Sequence, residues 1–249
     1  MVLVSALALF GCADDEQGVR VINAAAAAET PVPVPTPSTT VRATTNVPST
    51  TAVPTTTTVP LPAFRAAVRD VSESELASSW RAGCPVAVED LRRLDLVHWD
   101  DEGNAVNGVL VVHADHADDM VTVFAALFDA GFPIHSMQPI TDFDGDDDAS
   151  MRANNTSAFN CREISGRPGV WSQHAHGGAV DINPLVNPWV RGSRVDPPEG
   201  ASSVERDPTV DGLIVAGDAV TSAFADIGWG WGGDWASTKD YQHFSHDGR

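Results

Sequence analysis

The order of apolar and polar positions divides the chain into three stretches. Met1 to Phe10 (MVLVSALALF) is an unbroken apolar run. A long tract follows in which neither a helical nor a strand period is sustained. From Ala63 to Arg249 apolar residues return at regular spacings. There, Leu91, Leu94 and Val97 predict a helix over Val86–Val97. Gly108–His113 (GVLVVH) is short and valine-rich, the pattern of a central strand. Asp115 predicts an N-cap for a helix ending near Ala130, with Gly131 at its C′ position and Met120, Val123, Phe124 and Leu127 on its apolar face. Further strands are predicted over Pro133–Ile140 and Gly178–Ile182, and a second core helix over Val210–Phe224. Strands and helices in this irregular order predict an α+β fold rather than a doubly wound sheet.

Composition sharpens the division. Between Pro31 and Pro62 lie 8 of the 17 prolines and 11 threonines, with Arg42 the only charge. Such a stretch cannot bury enough apolar surface to offset its ordering entropy, so residues 13–62 are expected to be a disordered Ala/Pro/Thr-rich linker. Residues 63–249 hold all seven tryptophans and are long enough for one domain with a sizeable core. The apolar run at the start is too short to span a bilayer and has the length of a signal-peptide core, so residues 1–12 predict export. Leu9-Phe10-Gly11-Cys12 resembles the bacterial lipobox, which implies a lipidated Cys12 and a tether to the outer face of the cytoplasmic membrane, the alternative being a secreted protein. The formal net charge is −19, which excludes nucleic acid as a partner class. With Cys12 set aside, Cys84 and Cys161 can pair in an oxidising compartment or stand as two buried thiols.

Candidate chemistry concentrates in two segments, Ser172–Asp181 (SQHAHGGAVD) and Asp240–His246 (DYQHFSH). A catalytic zinc needs three nitrogen or oxygen ligands and one open position. His174, Asp181 and His243 can supply the three, leaving Asp240 as a carboxylate that handles a proton without ligating. Spacing alone leaves other sets open, among them His174 with His176.

Three motifs add a resemblance. S-x-H-x-x-G-x-A-x-D at Ser172, His174, Gly177, Ala179 and Asp181 is similar to the signature of the D-alanyl-D-alanine carboxypeptidase and L-alanyl-D-glutamate peptidase family of zinc peptidases. D-x-x-H-F at Asp240, His243 and Phe244, after Gly-Gly-Asp-Trp at 232–235, resembles the family's second half, and Ser150–Arg162 (SMRANNTSAFNCR) resembles the segment before the first motif. The resemblance implies a small antiparallel sheet flanked by helices, with Zn2+ held by His174, Asp181 and His243 and with Asp240 as the catalytic carboxylate. Many members carry Glu there, one methylene longer. It also implies an arginine that holds a substrate carboxylate, with Arg152 favoured over Arg162, and Ser172 as an orienting hydrogen-bonding group. The implied substrate is the peptidoglycan stem peptide, cut as a D-Ala-D-Ala carboxypeptidase would by a monomer. The alternatives are an L-Ala-D-Glu-type endopeptidase and a non-catalytic zinc-containing module that binds wall peptide. The last of these would be marked by a missing base, whereas Asp240 is present.

Other features take plainer readings. Asp142, Asp144 and Asp146 lack the glycine and glutamate of a calcium loop and read as a solvated acidic loop. His176 is either a group at the cleft or a surface histidine, and His98, His113, His116 and His135 read as structural. Of Trp229, Trp231 and Trp235, at least two are expected in the core.

Overall fold

The structure is a computed structural model that describes residues 12–14, 19–23 and 62–249. The chain divides into two units, Met1–Ala24 with Phe64–Arg249, and Ala25–Ala63. Apart from Pro62 and Ala63, the second unit lies outside the described residues, as do the apolar run and the proline- and threonine-rich tract.

The first unit opens with strands β1 (Cys12–Asp14), β2 (Arg20–Asn23) and β3 (Arg65–Asp70), then a single helical turn α1 (Glu73–Leu76) and the long strands β4 (Leu91–Trp99) and β5 (Ala105–His113). These strands form one antiparallel sheet in chain order. Helix α2 (Ala117–Asp129) follows, then a short parallel pair, β6 (Ser136–Met137) with β7 (Asn155–Thr156), with α3 (Asp147–Arg152) between its strands. The remainder carries β8 (Ala179–Asp181), β9 (Trp189–Arg191), β10 (Arg194–Asp196), α4 (Ala219–Asp226), β11 (Gly230–Trp231), β12 (Lys239–Asp240) and β13 (His243–Ser245). Strand β13 lies between β11 and β8 in one antiparallel sheet, and β9 lies between β10 and β12 in another. Mixed helices and antiparallel sheets agree with the α+β expectation. No helix among the described residues is long and apolar enough to cross a membrane.

Four local readings change. Residues 91–97 form a strand, not a helix, because β4 is central and buried on both faces. Leu94 and Leu96 join the main core with Leu110, Val112, Met120 and Phe124, while Leu91 turns to a second cluster with Leu76, Val111 and Phe159. Leucines three apart on a strand point to opposite faces, so spacing that imitates a helix serves two cores here. The arginines between them are paired, Arg92 with Asp70 at 3.3 Å and Arg93 with Asp95 at 2.7 Å. The strand predicted over 133–140 shrinks to Ser136–Met137, with Ile140 in a 3₁₀ turn. The helix predicted over 210–224 begins only at Ala219, because Gly212 and Gly217 take left-handed φ of +73° and +82° and Asp218 caps the helix by accepting from the Thr221 N–H. Asp115 sits within a 3₁₀ turn rather than capping α2, whose N-cap is His116. The end of α2 is as expected. Gly131 has φ +69°, its N–H donates to the Phe128 carbonyl, and the Phe132 N–H donates to that of Leu127.

Within the expected linker, Arg20–Asn23 instead adds a strand to β3, with Ile22 in the main core. Without it β3 would present its open edge, and the sequence Val-Arg-Val-Ile favours strand.

Cys84 and Cys161 form a disulfide with Cα atoms 5.9 Å apart across 77 residues of sequence. It ties the segment before β4 to the strand-like stretch that leads into Ser172, beside the second apolar cluster. Reduction is therefore expected to lower the unfolding free energy of the full chain by about 2–4 kcal/mol. Urea denaturation with and without dithiothreitol checks this, and coincident curves would show that the crosslink contributes nothing.

Candidate metal centre and active site

The site is built from two neighbouring strands and one turn. Ser172 starts a 3₁₀ turn over Gln173–His176, its hydroxyl oxygen accepting from the His174 N–H at 3.3 Å. The turn ends at Gly177 with φ +66°, where a Cβ would stand 2.5 Å from the His113 nitrogen. Glycine there lets the turn press on the end of β5 and accept the His113 N–H at 2.9 Å. The chain then enters β8, where Asp181 lies directly opposite His243 of β13. Cross-strand partners hold their Cβ atoms within about 4.5–5.5 Å, so the antiparallel register itself sets two of the candidate ligands side by side.

His174, Asp181 and His243 are all buried, and their ligand atoms lie within 4.8 Å of one another. His174 Nε2 is 3.1 Å from Asp181 Oδ2, His243 Nδ1 is 2.9 Å from Asp181 Oδ1, and the two nitrogens are 3.3 Å apart. Behind each ring stands a main-chain oxygen. His174 Nδ1 is 2.6 Å from the Ala158 carbonyl, and His243 Nε2 is 3.2 Å from the Arg249 oxygen. An oxygen of that kind only accepts, so each outer nitrogen carries the proton and each inner one, in the neutral ring, presents a lone pair to the centre.

The electrostatics follow from burial. Burial alone would raise the Asp181 carboxyl, but the imidazoles of His174 and His243 outweigh it and hold Asp181 well below the usual carboxylate range. Burial would lower His243, yet its hydrogen bond and attraction to Asp181 push it up to about 9. Asp240 goes the other way. Burial raises it to about 6, with the Asp181 charge adding to the rise and His243 and His174 opposing it.

Asp240 lies on β12, opposite Trp189 of β9. A Cβ on Gly232 would come within 2.5 Å of the Asp240 carbonyl oxygen and 2.8 Å of its Cβ, so the bare glycine admits the Asp240 backbone at close approach. Asp240 Oδ1 is buried with no hydrogen-bond partner. An orphaned buried carboxylate oxygen is costly. Its presence beside a His-Asp-His set fits a centre that gains a cation and a water.

Of the expected substrate-binding residues, Arg152 is exposed at the end of α3. It is Arg162 that pairs with the acidic loop, Nη2 lying 2.9 Å from Asp147 Oδ2, and its Nε is buried without a partner. The other aspartates of that loop have structural tasks, since Asp146 caps α3 and Asp144 closes a 3₁₀ turn at φ +56°. Trp229 and Trp231 are buried in the core as expected, whereas Trp235 sets its ring 5.6 Å from that of His243. Sequence reading missed Ala158 and Arg249, because main-chain oxygens carry no residue signature. It also missed Gln242, whose buried Oε1 lacks a partner.

No curated protein and no solved structure matches the chain. Residues 165–246, which contain all three candidate ligands and Asp240, match the model of a family described as D-alanyl-D-alanine carboxypeptidase, the family that the motifs resemble.

Proposed function

We propose that this chain is a zinc-dependent peptidase of the peptidoglycan stem peptide, releasing the terminal residue of D-Ala-D-Ala. The observation that carries the reading is the buried His174–Asp181–His243 set, with both inner nitrogens turned to one centre and with Asp240 Oδ1 buried without a hydrogen bond beside it. When bound, zinc would supply the Lewis acid that polarises a scissile carbonyl and makes water nucleophilic near neutral pH. His174 Nε2, Asp181 and His243 Nδ1 would hold it. Asp240 Oδ1 takes the proton of the attacking water and returns it to the leaving amine, a task suited to a carboxyl raised toward neutrality. Arg152, exposed and outside the pair that Arg162 makes with Asp147, is the candidate for holding the substrate carboxylate. Export through residues 1–12, with a tether at Cys12, belongs to the same proposal. It is supported by the Cys84–Cys161 disulfide, which suits an oxidising compartment.

Three outcomes test the reading. Muropeptides ending in D-Ala-D-Ala should lose one alanine by mass spectrometry, the loss stopping with chelator and returning with Zn2+. Cleavage inside the stem would replace the carboxypeptidase by an endopeptidase, and no product from the zinc-loaded chain would favour a binding module. Asp240→Asn should keep stoichiometric zinc while kcat falls about 10²–10⁴-fold, the usual range for a positioned acid–base group. Near-normal turnover in that variant would remove Asp240 from its role. In the metal-free chain His243 keeps its proton up to about pH 9. Zinc must displace it, so affinity should rise up to tenfold per pH unit from about 6.5 to 9, with about one proton released per ion. Calorimetry at pH 7.5 in buffers of different ionisation enthalpy reads that proton directly. Identical heats in all buffers would contradict His243 as a ligand.

A further inference from the structure

Four of the eight histidines stand outside this centre and converge on one place. His113 and His116 come from the end of β5 and the 3₁₀ turn that follows, His176 from the turn after Ser172, and His246 from the residue after β13. Together with Asp115 and Gln173 they line a pocket of about 520 Å³ that includes no residue of the His174–Asp181–His243 set. Local geometry explains the convergence. In a 3₁₀ turn residues i and i+3 eclipse, which sets His116 over His113 and His176 over Gln173.

We propose that these imidazoles form a second transition-metal site, with His113, His116 and His246 as ligands and His176 completing the shell at the rim. At a Zn–N distance of about 2.0–2.1 Å, ring centres stand roughly 3.2 Å from the ion and two rings at the tetrahedral angle roughly 5.2 Å apart. The His174 and His243 rings in the first centre are 5.2 Å apart. His116 and His246 are separated by 5.1 Å, and His113 and His116 by 5.9 Å. The ring of His116 is further positioned edge-on against Trp229, with centroids 5.2 Å apart.

Hydrogen bonding prepares His246, while His113 must change tautomer to bind. His246 Nδ1 is 3.3 Å from the Gly178 carbonyl, so it carries the proton and leaves Nε2 free. His113 Nδ1 accepts from the Asp115 N–H at 3.2 Å, so in the neutral ring the proton sits on Nε2, and ligation through Nε2 requires that proton to pass to Nδ1, which faces Asp115 Oδ2 at 3.5 Å. Gly178 makes room, because a Cβ there would lie 2.6 Å from His246 Nδ1. The S-x-H-x-x-G-x-A-x-D motif asks for glycine only at Gly177, so its spacing does not account for Gly178. Among the described residues only the first centre already gathers its ligand atoms within 4.8 Å. Closing the second therefore requires the exposed His176 and His246 rings to turn toward the ion. An all-imidazole set without sulfur selects Zn2+, Ni2+ or Cu2+ over Mg2+ or Ca2+.

The test uses the full chain, stripped by chelator and dialysed against Zn2+, with metal counted by mass spectrometry. The wild type is expected to hold two ions, and His116→Ala/His246→Gln one, with hydrolysis of stem peptide retained. His243→Ala should also hold one and lose hydrolysis, which separates failure of this proposal from failure of the peptidase reading. His246→Gln alone, at an exposed position that the fold tolerates, should weaken the second ion at least tenfold with an unchanged melting curve. Cu2+ electron paramagnetic resonance on the His243→Ala chain should show couplings from several imidazole nitrogens. One zinc in the wild type, two in the double variant, or a copper spectrum without imidazole nitrogen would overturn the site.

Discussion

The pairing of β8 with β13 is the constraint on which the rest depends. It places Asp181 opposite His243, and a one-residue slip of either strand would turn its side chain to the other face and dissolve the centre. The same ladder sets Phe244 opposite Val180, both fully buried in the main core. Core packing and ligand register are therefore one specification. A substitution that loosens Phe244, which stacks 4.0 Å from Phe224, disturbs the ligands through the strand that carries both.

A buried carboxylate against two buried imidazoles is an expensive arrangement for a protein that wants only stability. Desolvation opposes the charged forms of Asp181 and His243, and the attraction between carboxylate and imidazole offsets it only while the set is complete. Asp240 adds to the cost, since one of its oxygens has no partner at all. Polar burial of this kind concentrates where a protein performs chemistry. The surrounding structure supports it with rigid parts: glycines at 177 and 232 that allow close backbone approach, the disulfide behind the entering strand, and tryptophan beside His243.

The gathering of His174, Asp181 and His243 was legible in the sequence because it is written in residue identity and motif order. The fold was legible in its class and in β5, β8 and the body and end of α2. It was misread where one residue pattern serves two environments. Leu91, Leu94 and Val97 repeat with a helical period, yet β4 is sandwiched between two apolar clusters and no polar face was there to reveal a strand. The tract before β3 hid a strand because its partner lies more than forty residues later, beyond any local window. His113 and His116 of the second pocket read as structural for the same reason. Nothing near His116 in the sequence announces His246, and only the folded chain brings their rings to 5.1 Å.

The main-chain oxygens behind His174 and His243 have a consequence for how such a centre withstands mutation. In many metal sites the group that fixes a histidine's tautomer is a side chain, and drift at that position can erase it. Here the acceptors belong to Ala158 and Arg249, and every amino acid supplies the same oxygen. Replacing either side chain leaves the acceptor in place so long as the backbone keeps its path. The orientation of the two candidate ligand rings is thus inherited from chain geometry and is indifferent to the side chains at 158 and 249.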